Sequence, residues 1–250
     1  MSPNRREALR WLGAAGVLIV TGCGGSASSA SNTTGTTGTT TSSSSSSGAC
    51  TVTPEGEEGP YFVDDSATGF NRSDIRANID GSAVQPGILL TLTINVQDGK
   101  NNCAAMQNVQ VDIWHCNAQG IYSDEGVEST VGENWCRGYQ VTDANGSVSF
   151  KTIVPGWYQG RTTHIHLRLR STYDSNGTGG SNTTQLFFPQ TLVDTISTSV
   201  APYSAEGKNP TTNASDHVYA GETQGKGLLT LTGDNTNGYT ATTTIALPIS

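Results

Sequence analysis

The pattern that most restricts this chain is an alternation: Leu90, Leu92, Ile94 and Val96 take turns with Thr91, Thr93 and Asn95. Successive side chains of an extended strand point to opposite faces. A period of two therefore sorts apolar from polar across a strand, which no helix can do. The pattern returns further on. Val109, Val111 and Ile113 alternate with Gln110 and Asp112, and Gly138–Thr142 is joined to Ser147–Ile153 by a hairpin with Asn145-Gly146 at its tip. His164–Leu169, Gln185–Phe188, Leu228–Leu231 and Tyr239–Ile245 read as further strands, and only Thr191–Ser199 hints at helical turns. Many short strands punctuated by Gly, Asn and Pro predict an all-β fold, an antiparallel β-sandwich. The connections 123–135 and 203–227 are long, and loops of that length in a compact domain usually serve function or movement.

Ahead of the strands the chain changes character. Arg5 and Arg6 precede an apolar stretch, Trp11–Val20, that runs into Thr21-Gly22-Cys23. A basic start, a short apolar centre and small residues at the end predict a secretory leader over residues 1–23. Its Val-Thr-Gly-Cys end resembles a bacterial lipobox. Cys23 is then the expected lipid anchor, and the expected location is outside the cytoplasmic membrane. The arginine pair resembles a twin-arginine signal; the alternative is an ordinary secretion signal with two incidental arginines. Residues 24–48 hold no charge and no large apolar side chain, only Gly, Ser, Thr, Ala and Asn. Such a stretch cannot bury enough surface to offset its ordering entropy, so a flexible tether is expected there. Residues 49–250 are left for one folded domain. A formal charge of −8 argues against a nucleic-acid partner, which would require clustered Lys and Arg. No apolar run approaches the roughly 18 residues of a spanning helix, so membrane contact is expected only through Cys23.

Cys50, Cys103, Cys116 and Cys136 would then lie in an oxidising setting, and four cysteines permit three pairings. Cys103 and Cys116 bracket the strand ending at His115 and are too far apart to bond unless the chain folds back. Cys116 and Cys136 both lie away from the Asn-Gly turn. The expected bridges are Cys116–Cys136 and, by elimination, Cys50–Cys103, with free buried thiols as the alternative.

Three clusters carry chemistry: Trp114-His115-Cys116-Asn117-Ala118-Gln119-Gly120-Ile121-Tyr122, Pro155-Gly156-Trp157-Tyr158, and Arg161-Thr162-Thr163-His164-Ile165-His166. On a strand, His164 and His166 share a face, so two imidazoles can hold one metal ion, although structural histidines show the same spacing. Tyr158 precedes them by a short Gly-containing loop that can bring its phenol back over the strand. Tyr122 ends a second strand–loop unit able to converge on the same pair. A tyrosine at a strand end is most often a packing residue with a wet hydroxyl. Next to a trivalent cation, however, a phenol ionises well below its usual pKa of about 10. Two phenolates and a hydroxide balance Fe(III), and neutral imidazoles complete the shell. Hard oxygen donors favour the ferric ion, whereas zinc prefers Cys and His.

These residues resemble a known family. Thr53-Pro54-Glu55, Glu58-Gly59-Pro60-Tyr61, the segment from Trp114 to Tyr122, Arg137–Asp143 and Pro155–Arg170 are similar to intradiol ring-cleavage dioxygenases, above all to their exported, protocatechuate-dioxygenase-like branch. The likeness covers about residues 51–247. It implies that Tyr122, Tyr158, His164 and His166 bind a non-haem Fe(III), Tyr158 and His164 axially, Tyr122 and His166 equatorially. It implies a catalytic set of Tyr158, a displaceable base, Arg161, which stabilises developing negative charge, and Gln185, a less diagnostic position. The implied reaction cleaves a catechol-type ring between its two hydroxylated carbons with O₂ and yields a muconate-type diacid, on the same β-sandwich. Trp157 and Tyr61 are candidates to line the pocket or simply to pack. No long helical pattern precedes the strands, so the helical dimerisation domain of catechol 1,2-dioxygenases is not expected. The carboxylate contacts of protocatechuate enzymes find no match, which leaves the ring substituent open. Two readings compete: a lipid-anchored, non-catalytic binding module that keeps the scaffold, and a His-x-His zinc or copper site, which leaves both tyrosines without a role.

Overall fold

The computed structural model describes residues 50–63, 65, 67–170 and 181–248. The expected leader, tether and Cys23 anchor lie outside these residues. The first alternation forms β1 (Leu89–Asp98), in which Leu90, Leu92, Ile94 and Val96 are buried while Thr91 faces solvent. Along one edge β1 pairs antiparallel with β2 (Ala104–Ala105) and β5 (Ser147–Ile153); along the other it meets β9 (Gly238–Leu247), which is flanked by β8 (Leu231–Asp234). The second sheet runs β4 (Arg137–Val141), β3 (Gln110–Trp114), β6 (His164–Arg170), β7 (Ser181–Phe187), with every pair antiparallel. The inward rows of the two sheets form one apolar core, joined by Val193 and Ile196 of the helix α1 (Gln190–Ser199).

The β-sandwich follows from the alternation, with two differences in detail. β1 and β9 run parallel, Leu90 beside Tyr239 through Asp98 beside Leu247, so the first sheet is mixed. Parallel neighbours require a long crossover, and the whole second sheet lies between these two strands in the chain. Leu228, expected to open a strand, makes only an isolated bridge to Phe187, and β8 starts at Leu231.

The cysteines divide. Cys50 and Cys103 are bonded, with Cα atoms 5.6 Å apart. The expected Cys116–Cys136 bridge is absent: both are buried free thiols. The reason is register. Trp114 lies opposite Arg137, and the His115 N–H donates to the Cys136 carbonyl at 3.2 Å, so Cys116 falls one step out of line with Cys136. One step in a strand reverses the face. Cys136 joins the inter-sheet core, whereas Cys116 packs with Tyr61, Trp114 and Tyr122 on the outer face of the second sheet.

Two irregular segments cover that outer face. Residues 53–62 run along the free edge of β7: the Gly56 N–H donates to Thr183 O at 2.9 Å, Thr184 Oγ1 to Pro54 O at 3.0 Å, and the Gln185 amide to Glu57 O at 2.9 Å. The long connection from Tyr203 is anchored by the Tyr203 hydroxyl, which donates to Val154 O and accepts from the Ile88 N–H, and ends in a wide helical turn, His217–Glu222.

Candidate metal centre

Both tyrosine-bearing loops are set by close backbone contact. Gly120 has φ +77°, and a Cβ there would lie 2.0 Å from the Trp157 carbonyl oxygen. A Cβ on Gly156 would lie 2.4 Å from the Ala118 carbonyl oxygen. Any side chain at either position would push the loops apart. With both glycines in place, the Gly156 N–H donates to Asn117 O at 3.0 Å, and Tyr122 and Tyr158 meet with ring centroids 5.7 Å apart.

The histidines arrive on β6. His164 Nδ1 lies 2.6 Å from the Thr162 carbonyl. A carbonyl only accepts, so Nδ1 carries the proton and Nε2 presents a bare lone pair. That Nε2 lies 3.0 Å from His166 Nε2 and 3.3 Å from the Tyr158 hydroxyl. His166 is held flat against the Trp114 indole, with centroids 4.9 Å apart and planes 6° from parallel. Its Nδ1 is buried without a hydrogen-bond partner among the described residues, as is the Tyr122 hydroxyl. Whichever tautomer His166 adopts, one buried ring nitrogen is left unsatisfied, a costly arrangement in an interior. A cation shared by the two Nε2 atoms and the phenols would engage the facing Nε2 lone pairs and the orphaned Tyr122 hydroxyl and would fix the His166 proton on Nδ1, so the donor set fits a metal ion.

Electrostatics agree. Burial lowers His164 and His166 below the usual imidazole range, so both are neutral at pH 7. Burial also raises the Tyr122 and Tyr158 phenols above theirs. The pocket thus gathers neutral donors, and a bound cation would reverse the phenol shift. By contrast, His115 is structural. Its Nδ1–H donates to Cys116 O at 2.8 Å, its Nε2 accepts from Thr152 Oγ1 at 2.7 Å, and burial lowers its pKa to about 4.

Arg161, 4% exposed, donates through Nε to Asp216 at 2.9 Å, through Nη1 to Glu57 at 3.3 Å and through Nη2 to Gln185 Oε1. Gln185 stands opposite His166 in the β6–β7 ladder and orients Arg161. Asp216 and Glu57 do not emerge from sequence reasoning. Nothing local marks Asp216, and Glu57 shows only its place two residues before Gly59-Pro60-Tyr61. Arg137 and Tyr61 complete the surround: the Arg137 guanidinium carbon lies 5.7 Å from the Tyr122 ring centre, and Tyr61 stacks on Tyr122 at 4.1 Å. A separate group, Glu57, His217 and Glu222, has ligand atoms within 4.8 Å of one another on the exposed side of Arg161 and shares no member with the expected ligand set.

Residues 57–203 match the family model described as Dioxygenase. The chain belongs to the intradiol ring-cleavage dioxygenase family. An intradiol ring-cleavage dioxygenase from Tetranychus urticae is 28% identical and superposes with a TM-score of 0.67 over 80% of this chain and 96% of that one. The dioxygenase domain of a dioxygenase–carbohydrate-binding protein fusion from Streptomyces sp. SirexAA-E is 27% identical, with a TM-score of 0.56 over 80% of this chain and all of that domain (100%). Catechol 1,2-dioxygenase of Acinetobacter baylyi is 31% identical over 109 residues, 43% of this chain and 32% of that protein, so the match spans about a third of that curated relative. Within the family fold, the four expected donors and Arg161 gather on one face of the second sheet, all carried by β6 and the loops that follow β3 and β5.

Proposed function

We propose that this protein is an exported, non-haem Fe(III) dioxygenase that cleaves catechol-type rings between their two hydroxylated carbons with O₂, giving muconate-type diacids. The observation that carries the reading is the approach of His164 Nε2 to both His166 Nε2, at 3.0 Å, and the Tyr158 hydroxyl, at 3.3 Å, beside a buried Tyr122 hydroxyl that has no hydrogen-bond partner among the described residues. Tyr122, Tyr158, His164 and His166 would hold the ion. Ferric iron bound there would supply a Lewis acid toward the catechol oxygens and lower the electron density of the ring.

The chain's own residues then have distinct tasks. Tyr158 is half-buried, and its Oη, ionised while a cation is bound, would take up a proton from a substrate hydroxyl. His164 keeps its orientation through Nδ1–H on the Thr162 carbonyl, a second contact typical of ligating histidines. Arg161, fixed by Asp216 and Gln185, sets a preorganised positive charge beside Tyr158, where negative charge develops as the ring is attacked. Tyr61 and Trp114 wall the site and exclude water. Export is supported by the leader-like residues 1–23, with Cys23 as the proposed lipid anchor, and by the Cys50–Cys103 disulfide, a bond of oxidising compartments.

Protein expressed with iron supplied is expected to be coloured by tyrosinate-to-iron absorption, to carry about one iron per chain, and to consume O₂ when catechol is added. Tyr158→Phe is expected to weaken the visible band and slow turnover about 10²-fold or more. Colourless, iron-free protein that consumes no O₂ across a panel of catechols would overturn the reading.

A further inference from the structure

Resting on the catechol-cleaving reading, the charges around Arg161 identify the ring substituent that the site tolerates. All three guanidinium nitrogens have a partner: Asp216 at 2.9 Å, Glu57 at 3.3 Å, and the Gln185 side-chain carbonyl. Asp216 is itself locked, accepting from the Thr162, Val218 and Tyr219 N–H groups at 2.9–3.0 Å. Glu57 lies on the open side, its carboxylate 34% exposed. Its Oε1 lies 3.3 Å from His217 Nε2, and its N–H donates to the exposed Glu222 carboxylate at 2.6 Å. Two cations on adjoining segments are also taken: Arg168 pairs with Glu58 at 3.4 Å and Lys208 with Asp194 at 2.8 Å. An ionised carboxylate on an incoming ring would therefore meet Glu57 and Glu222 and find the Arg161 donors on that side already held by Glu57. Around a carboxylate 34% exposed such repulsion acts over several ångströms and is open to screening by salt.

We infer that Glu57 is a specificity-determining residue: by holding Arg161 and placing its own charge on the exposed side of that guanidinium, it restricts the site to catechols without an anionic ring substituent. The test compares 4-methylcatechol with 3,4-dihydroxybenzoate, rings of similar bulk that differ in charge. The wild-type kcat/KM is expected to be at least about tenfold lower for the carboxylate, and the anaerobic dissociation constant correspondingly weaker. Glu57→Gln is expected to narrow both gaps about fivefold or more, and raising the ionic strength should narrow them in the wild type. Equal handling of the two rings, or a gap that neither Glu57→Gln nor salt changes, would overturn the inference. If Glu57→Gln does not fold, the wild-type salt series decides alone. If neither ring is turned over, the proposed reaction falls, while the anaerobic binding ratio still decides the charge preference.

Discussion

In β1 every second side chain enters the core and its neighbours are wet or half-wet; in β6 the four residues from His164 to Leu167 are all buried. Both strands alternate in sequence. The difference lies on the outer face. Around β1 that face carries Thr91, Thr93 and Asn95 toward solvent. Around β6 it carries imidazoles and arginines beneath two covering segments, with Trp114 and Asp112 beside them on β3. A buried apolar face stabilises, whereas a buried polar face must find partners. The first sheet is scaffold, and the second holds groups whose unsatisfied atoms define a site.

The largest effect that separates the two sheets is expected from a crossed pair of variants. His166→Ala should lose bound iron and more than about 10²-fold in oxygen uptake, exceeding what loss of an outer partner costs a metal site, with a smaller change in melting temperature. Leu92→Ala, at a fully buried position of β1, should show the reverse, losing about 2–5 kcal/mol of stability with unchanged iron per folded chain. Iron analysis beside denaturant unfolding reads both. A His166→Ala protein that keeps iron and turnover would erase the contrast.

Asp216→Asn probes the cover over the second sheet. Burial pushes the Asp216 carboxyl up, but the hydrogen bond and charge of Arg161 and the Tyr219 and Thr162 N–H groups outweigh it and hold the carboxyl below its usual range. A lowered carboxyl contributes stability above the unfolded value, near 3.9, and that stability is lost as pH falls through the lower folded value. The variant should lose about 3 kcal/mol at pH 7, as a buried pair broken on one side does. Its deficit should shrink below about pH 4; a constant deficit down to pH 2 would show that the charge of Asp216 contributes nothing. The smallest effect is expected at Thr91→Ala on the wet face of β1, within about 0.5 kcal/mol in the same unfolding measurement. A larger loss would mean that this face is covered too.

The alternation from Leu90 to Val96 was legible because strand geometry is a local property, and so were the Asn145-Gly146 hairpin and the shared face of His164 and His166. The tyrosines are legible as strand–loop ends able to bring phenolates to that pair, and the family resemblance assigns them as ligands; their convergence depends on Gly120 and Gly156 meeting backbone from the opposite loop. Asp216 and Glu57 were not legible, because they reach Arg161 across sequence separations of 55 and 104 residues with no local pattern at either end.

From the chain alone, then, came the class of fold, the strands and the imidazole pair, all consequences of side-chain period and turn chemistry over a few residues. Only the tertiary structure decided that β9 runs parallel to β1, that Cys116 and Cys136 face opposite sides of one sheet, and that Arg161 is paired with carboxylates from two distant segments. Those outcomes depend on register and on which distant surfaces meet. Long-range packing sets both, and no short stretch of sequence encodes them.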